Sequence, residues 1–228
     1  MALKIILNEE AYQGMVHQAL QLYKQESFGY VIGKRIKRKK TFDYETLAKA
    51  SIPTRIYPSY DSINQDLETY NRAISFFRRT SLDIIGDFHS HTDFSKRVGK
   101  ITLSDEDINN IKMNGRYFFS FVLGIKESEA KNVGLMIKNK EIIYVDDFYY
   151  GKAKNKKRRL KIRMVAFYLE KSRKKDKEPT VIQAEIEPSS YLLNWINKFS
   201  LNKRKKPRSI ETLESIAESI DNKEQQED

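Results

Sequence analysis

The chain contains no cysteine. That single absence excludes disulfides, thiolate zinc sites and cysteine nucleophiles, and it fits an intracellular, cytoplasmic protein. Histidine is nearly as scarce, with only three in the chain, so imidazole chemistry is confined to few places. No stretch approaches the roughly eighteen unbroken apolar residues that a membrane span requires, so a soluble protein without a membrane partner is expected. Residues 1–10 hold a short apolar run ended by acids and no cleavage signature, which argues against a signal peptide.

What is present is a basic chain of ordinary domain size. Its 228 residues are 39% hydrophobic, 11% aromatic and 32% charged, with a net charge of +11. This is enough apolar material for one buried core plus an appendage. The positive charge predicts attraction to an acidic protein or a nucleic acid.

Two of the three histidines stand together in Gly86-Asp87-Phe88-His89-Ser90-His91. They end an apolar run that reads as a central strand from Leu82 to Phe88. In a strand, residues two apart share a face, so both imidazoles leave the sheet on one side, as two ligands of one metal must. Ser104-Asp105-Glu106-Asp107 follows, with Ser104 as the N-cap of a helix running to about Met113. Asp107 supplies a third ligand, and Asp93 and Asp105 are the substitutes for it. Ser-x-x-Asp favours Asp107, because it puts the two side chains one helical turn apart on one face. Two His and one Asp leave one tetrahedral position open, which is the pattern of a catalytic zinc.

The remaining elements are read from periodicity. A strand at 3–7 is followed by a helix capped by Asn8, whose Tyr12, Met15, Val16, Ala19, Leu20 and Tyr23 face the core. His17 lies off that stripe and reads as a surface residue. A glycine-bearing strand at 26–33 and a second at 41–51 form a hairpin with a basic tip at 34–40. Pro53 and Pro58 bracket a loop, and Asp61 or Ser62 caps a helix to about Arg79, with Leu67, Tyr70, Ala73, Ile74 and Phe77 buried. Residues 92–103 form a polar, basic loop. Strands are expected at 117–125, 133–138 and 141–150, the last two joined by a tight turn at Asn139-Lys140, and again at 160–169 and 180–186. Tyr191, Leu192, Trp195, Ile196 and Phe199 suggest a short amphipathic helix. A basic linker at 203–208, a helix at 209–220 and a polar tail complete the chain. Intermixed helices and strands make the fold class α/β, a sandwich around a mostly antiparallel sheet.

Three segments together resemble the JAMM, or MPN-plus, metalloproteases. They are Glu26-Ser27-Phe28-Gly29-Tyr30-Val31-Ile32-Gly33, His89-Ser90-His91 and Ser104-Asp105-Glu106-Asp107. The resemblance spans about residues 1–187, leaving 188–228 as a basic, helical C-terminal extension with a disordered tail. Thr92 replaces the family's usual proline, and the interval from His91 to Ser104 is longer than is common, carrying Lys96, Arg97 and Lys100 beside the expected substrate path. The resemblance implies an MPN/JAMM-type, cytidine-deaminase-like fold, a mixed and mostly antiparallel sheet flanked by helices. It implies Zn2+ held by His89, His91 and Asp107, with Glu26 as general base. Ser104 either caps its helix alone or also donates to the oxyanion of a tetrahedral intermediate. The implied activity is a deubiquitinase-like zinc isopeptidase, acting after the C-terminal tail of ubiquitin or a ubiquitin-like modifier.

A different class of function competes with this one. The segments 34–40 and 152–161, interleaved with Tyr149, Tyr150 and Tyr168, would serve a nucleic-acid or ribonucleoprotein binding module on the same scaffold. No RNA-binding signature accompanies them. A purely scaffolding role is the third reading.

Overall fold

A computed structural model describes residues 4–23, 25–37, 44–53, 56–58, 63–65, 67–77, 79–92, 100–115, 118–129, 134–149, 157–170 and 178–194. β1 (Lys4–Leu7) leads into α1 (Glu9–Gln21), then β2 (Phe28–Lys37) and β3 (Tyr44–Pro53). A small two-stranded hairpin, β4 (Ile56–Pro58) and β5 (Ile63–Gln65), occupies the stretch expected to be loop. It displaces the helix start, so α2 spans Leu67–Phe77 and not 61–79. The side chains of Leu67, Tyr70, Ala73 and Ile74 lie outside the described residues. Of the basic hairpin tip expected at 34–40, residues 34–37 continue strand β2 and 38–40 lie outside the described residues. β6 (Asp83–His91), α3 (Asp105–Asn114) and β7 (Phe119–Glu127) follow, then β8 (Gly134–Lys138), β9 (Glu141–Tyr149) and β10 (Lys157–Glu170). β11 (Thr180–Gln183) and β12 (Glu185–Pro188) end the sheet. Asn139 and Lys140, at φ 51° and 63°, make the tight β8–β9 turn.

Among the described residues one ten-stranded sheet runs in the order β12-β1-β3-β2-β6-β7-β10-β9-β8, with β11 also on β10. Pairing is mostly antiparallel, with parallel joins at β1–β12, β1–β3 and β6–β7. The long β10 explains the sheet's shape. Along one edge, residues 157–164 pair with β9, while residues 167–170 pair with β11. The stretch expected as one strand at 180–186 breaks at Ala184, whose N–H donates to Ala166 O at 2.8 Å. Before the break the chain follows β10, and after it the chain follows β1. The sheet therefore curls until its β12 end meets β10.

α1 lies on the inner side of this curl, mainly against β3. Its buried Ala11, Tyr12, Met15, Val16 and Ala19 join Phe88, Phe119, Phe121, Leu123, Met164, Ala166 and Tyr168 in one core. Burying this apolar stripe is the main drive for α1 to dock. Gln18 is the polar exception. It is buried in the same helix, and its amide donates to Phe28 O at 2.8 Å. The core also takes in Ile186 and Leu192, on either side of the 187/188 boundary expected from sequence. Residues 195–228 lie outside the described residues. No helix among the described residues is long and apolar enough to cross a membrane.

Candidate metal centre

The outer face of β6 carries the site. Alternation puts Asp87, His89 and His91 on one side of the strand, opposite the core residue Phe88. Neighbouring strands continue that face in register, with Tyr30 and Ser120 beside Asp87, Phe28 and Val122 beside His89, and Gly124 beside His91. β6 is buried over nearly its whole length, as the apolar run predicted for a central strand.

α3 brings the third ligand. Ser104 is its N-cap, and Ser104 and Asp107 form a reciprocal capping box. The Asp107 N–H donates to Ser104 Oγ at 3.0 Å, while Asp107 Oδ2 accepts from both the amide and the hydroxyl of Ser104 at 2.7 Å. This grip on Oδ2 turns the other carboxylate oxygen toward the strand, where Oδ1 lies 3.6 Å from His89 Nε2. One ligand atom each from His89, His91 and Asp107 lie within 4.8 Å of one another. Two ligands of a tetrahedral zinc stand roughly 3.3 Å apart, so the His89–Asp107 spacing suits a shared ion better than a direct hydrogen bond. Asp105, the substitute considered for Asp107, is exposed on the first turn. Asp93 lies outside the described residues.

The tautomer of His91 follows from its partner. Its Nδ1 lies 2.8 Å from the Lys100 carbonyl oxygen, which can only accept. Nδ1 therefore carries the proton and Nε2 keeps the lone pair, the usual outer-shell arrangement of a metal-binding imidazole. The residues present fit a metal ion: two imidazoles and a carboxylate, largely buried, with His91 and Asp107 each oriented by a second contact.

Glu26 is buried and sits just before β2. The ladder pairs Phe28 with His89, and the Ser90 N–H donates to Ser27 O at 3.0 Å. Glu26 thus lies two residues before the Phe28–His89 pair, at which the regular β2–β6 ladder begins. The glycine of Glu26-x-x-Gly29 has a steric cause. A Cβ on Gly29 would stand 2.4 Å from both Ile52 O and the Phe88 ring. His89, His91 and Asp107 thus come together at the end of β6, with Ser104 on Asp107.

Asp87 was not assigned a role from sequence, although its position two residues before His89 signals the shared face. Burial pushes its carboxyl up to about 7, partly opposed by a hydrogen bond from Ser120 and reinforced by the charge of Asp107. The Lys100 carbonyl and the Ser27–Ser90 pair were also missed. A backbone acceptor and buried serines leave no residue-type signal.

A mixed, curled sheet that carries a His-x-His pair on a central strand and an Asp on the following helix defines a JAB/MPN-type domain with a metal-capable site. The chain belongs to the family described as prokaryotic homologs of the JAB domain, which it matches over residues 8–136. Among solved structures it is similar to the solution structure of a protein from Desulfitobacterium hafniense. That match has 17% identity and a TM-score of 0.50, and covers 83% of this chain and 96% of the other. At this identity the likeness speaks for the fold alone. A comparison with curated proteins returns no match.

Proposed function

We propose that the chain is a zinc-dependent isopeptidase that hydrolyses the bond after the C-terminal tail of ubiquitin or a ubiquitin-like modifier. The supporting observation is the convergence of three ligand atoms within 4.8 Å, with Glu26 buried two residues before the Phe28–His89 pair. The JAB family includes zinc isopeptidases, and this chain retains the ligands and the acid that such chemistry uses. An intracellular location belongs to the same proposal.

His89, His91 and Asp107 would hold Zn2+, which when bound lowers the pKa of a coordinated water to about 7 and polarises a carbonyl. Glu26 takes the proton of the attacking water and passes it to the leaving amine, so the hydrolysis balances without another acid. Burial beside a cationic centre suits a carboxylate to both steps. Ser104 donates its single hydroxyl proton to Asp107 Oδ2, so it would serve as donor to the oxyanion only by turning that proton away from Asp107. An extended modifier tail would be held by main-chain hydrogen bonds along the site.

The test is metal content by mass spectrometry, with wild type compared with His89→Ala/His91→Ala. The expected result is about one zinc per chain in wild type and none in the double variant. Hydrolysis of ubiquitin-like fusions should then be lost in Glu26→Gln while zinc is retained. No zinc in wild type after reconstitution overturns the reading and favours the basic binding module.

A further inference from the structure

On the metal-site face, strand β10 presents Arg159, Lys161 and Arg163, spaced by two. The adjoining strand β9 answers the outer two with acids. Arg159 pairs with Asp147 at 2.7 Å, and Arg163 makes a forked contact with Glu141 at 2.7 and 3.0 Å. The middle cation has no such answer. Lys161 stands in register with Val145 on β9 and with Lys126 on β7. Two lysines directly opposite in an antiparallel pair hold their Cβ atoms roughly 5 Å apart, and like charges in that position repel. Among the described residues neither lysine has a carboxylate partner. The fold gains nothing from this pair, and an anion would relieve it.

The pair lies beside the metal centre. Gly124 is in register with both His91 and Arg163, and Lys126 follows two residues later on the same face. Sheet spacings put the Cα atoms of Lys126 and Lys161 roughly 8 and 12 Å from that of His91. Gly124 carries no side chain, so nothing on β7 stands between the ligand and the lysines.

We propose that Lys126 and Lys161 form a specificity site for an acidic side chain lying roughly two to four residues from the scissile bond of the substrate. The inference rests on the isopeptidase reading and deepens it by naming the substrate's charge. The neutralised Arg159–Asp147 and Arg163–Glu141 pairs flank the site and, among the described residues of β7, β9 and β10 on this face, leave Lys126 and Lys161 without a carboxylate. That suits one or two carboxylates. A nucleic-acid backbone would meet Asp147 and Glu141 on either side.

The test uses zinc-loaded Glu26→Gln protein and two fluorescein-labelled branched peptides. Both carry a Gly-Gly isopeptide on lysine; one has glutamates at the flanking positions and the other glutamines. The glutamate peptide should bind about tenfold more tightly by anisotropy, with a preference that shrinks as salt rises. The preference should vanish in Lys126→Gln/Lys161→Gln and reverse for a lysine-flanked peptide in Lys126→Glu/Lys161→Glu, with circular dichroism and zinc content unchanged. Equal binding of the two peptides, or a preference that survives both double variants, overturns the proposal. A random single-stranded oligonucleotide that binds more tightly than the glutamate peptide, and loses its affinity in the same variants, also overturns it. Zinc-loaded wild type that cleaves neither peptide nor any ubiquitin-like fusion counts against the isopeptidase reading alone, because the charge preference is read from binding.

Discussion

The backbone N–H of Ser27 donates not to a ladder carbonyl but to the side-chain oxygen of Ser90, at 2.9 Å. The two hydroxyls are also 2.9 Å apart, both fully buried on the core face. On the other face of β6, the next residue is the ligand His91. Gln18 supports the same end of β2 through Phe28 O. The strand that carries the proposed base is thus tied to the strand that carries the ligands by polar groups the substrate never meets.

Ser90→Ala removes that tie and strands the Ser27 amide in the core. Stability should fall by about 1–2 kcal/mol, the cost of an unsatisfied buried donor, read from urea unfolding. Turnover should drop by at least about tenfold as Glu26 loses its register, with zinc content unchanged. Ser90→Thr keeps the hydroxyl and should recover most of the rate. Zinc loss with normal turnover per bound zinc would show that Ser90 serves the metal and not the base.

Ser104→Ala separates the two roles of that serine. Loss of the N-cap should cost about 1 kcal/mol of stability. Loss of the hydroxyl that grips Asp107 Oδ2 should weaken zinc by about tenfold to a hundredfold in a chelator competition. If Ser104 also serves the oxyanion, the rate at saturating zinc falls as well. A rate that recovers fully at saturating zinc confines Ser104 to holding Asp107.

Alkaline pH should loosen the core through two tyrosines. The phenols of Tyr12 and Tyr144 are both raised above the ordinary range. Burial is the first cause in each, and the Asp146 hydrogen bond and charge add to it for Tyr144. The folded state therefore holds these protons where the unfolded chain releases them. Their contribution is fully present below about pH 10 and is lost as pH rises beyond it. Urea midpoints of wild type should fall between about pH 9 and 11. Tyr144→Phe should fall less steeply, and an unchanged slope would count against the assignment.

Gly29→Ala tests the packing behind the first motif. The new methyl group meets a backbone carbonyl on one side and the Phe88 ring on the other. Overpacking there should cost about 1–3 kcal/mol in thermal or urea unfolding. A neutral effect would mean that β2 and β3 can separate at Gly29 without loss.

Much of the site was legible before the fold because its signals are local. His89 and His91 share a strand face by period two, and Ser104 and Asp107 meet within one helical turn, so neighbouring residues carry the information. The α1 stripe, the central β6 and the β8–β9 turn at Asn139-Lys140 were legible for the same reason. The β4–β5 hairpin was not, since three-residue strands carry too little periodicity to read.

The amino-acid sequence by itself determined which groups are available: two imidazoles with a carboxylate, a glutamate before a glycine strand, no thiol, and an excess of positive charge. Only the tertiary structure decided which of them meet. The Ser27–Ser90 contact, the break at Ala184 that curls the sheet, and the facing of Lys126 and Lys161 all depend on strand order and register. These join residues far apart in the chain, and pairing between distant segments is set by the whole packed sheet, which no local pattern encodes.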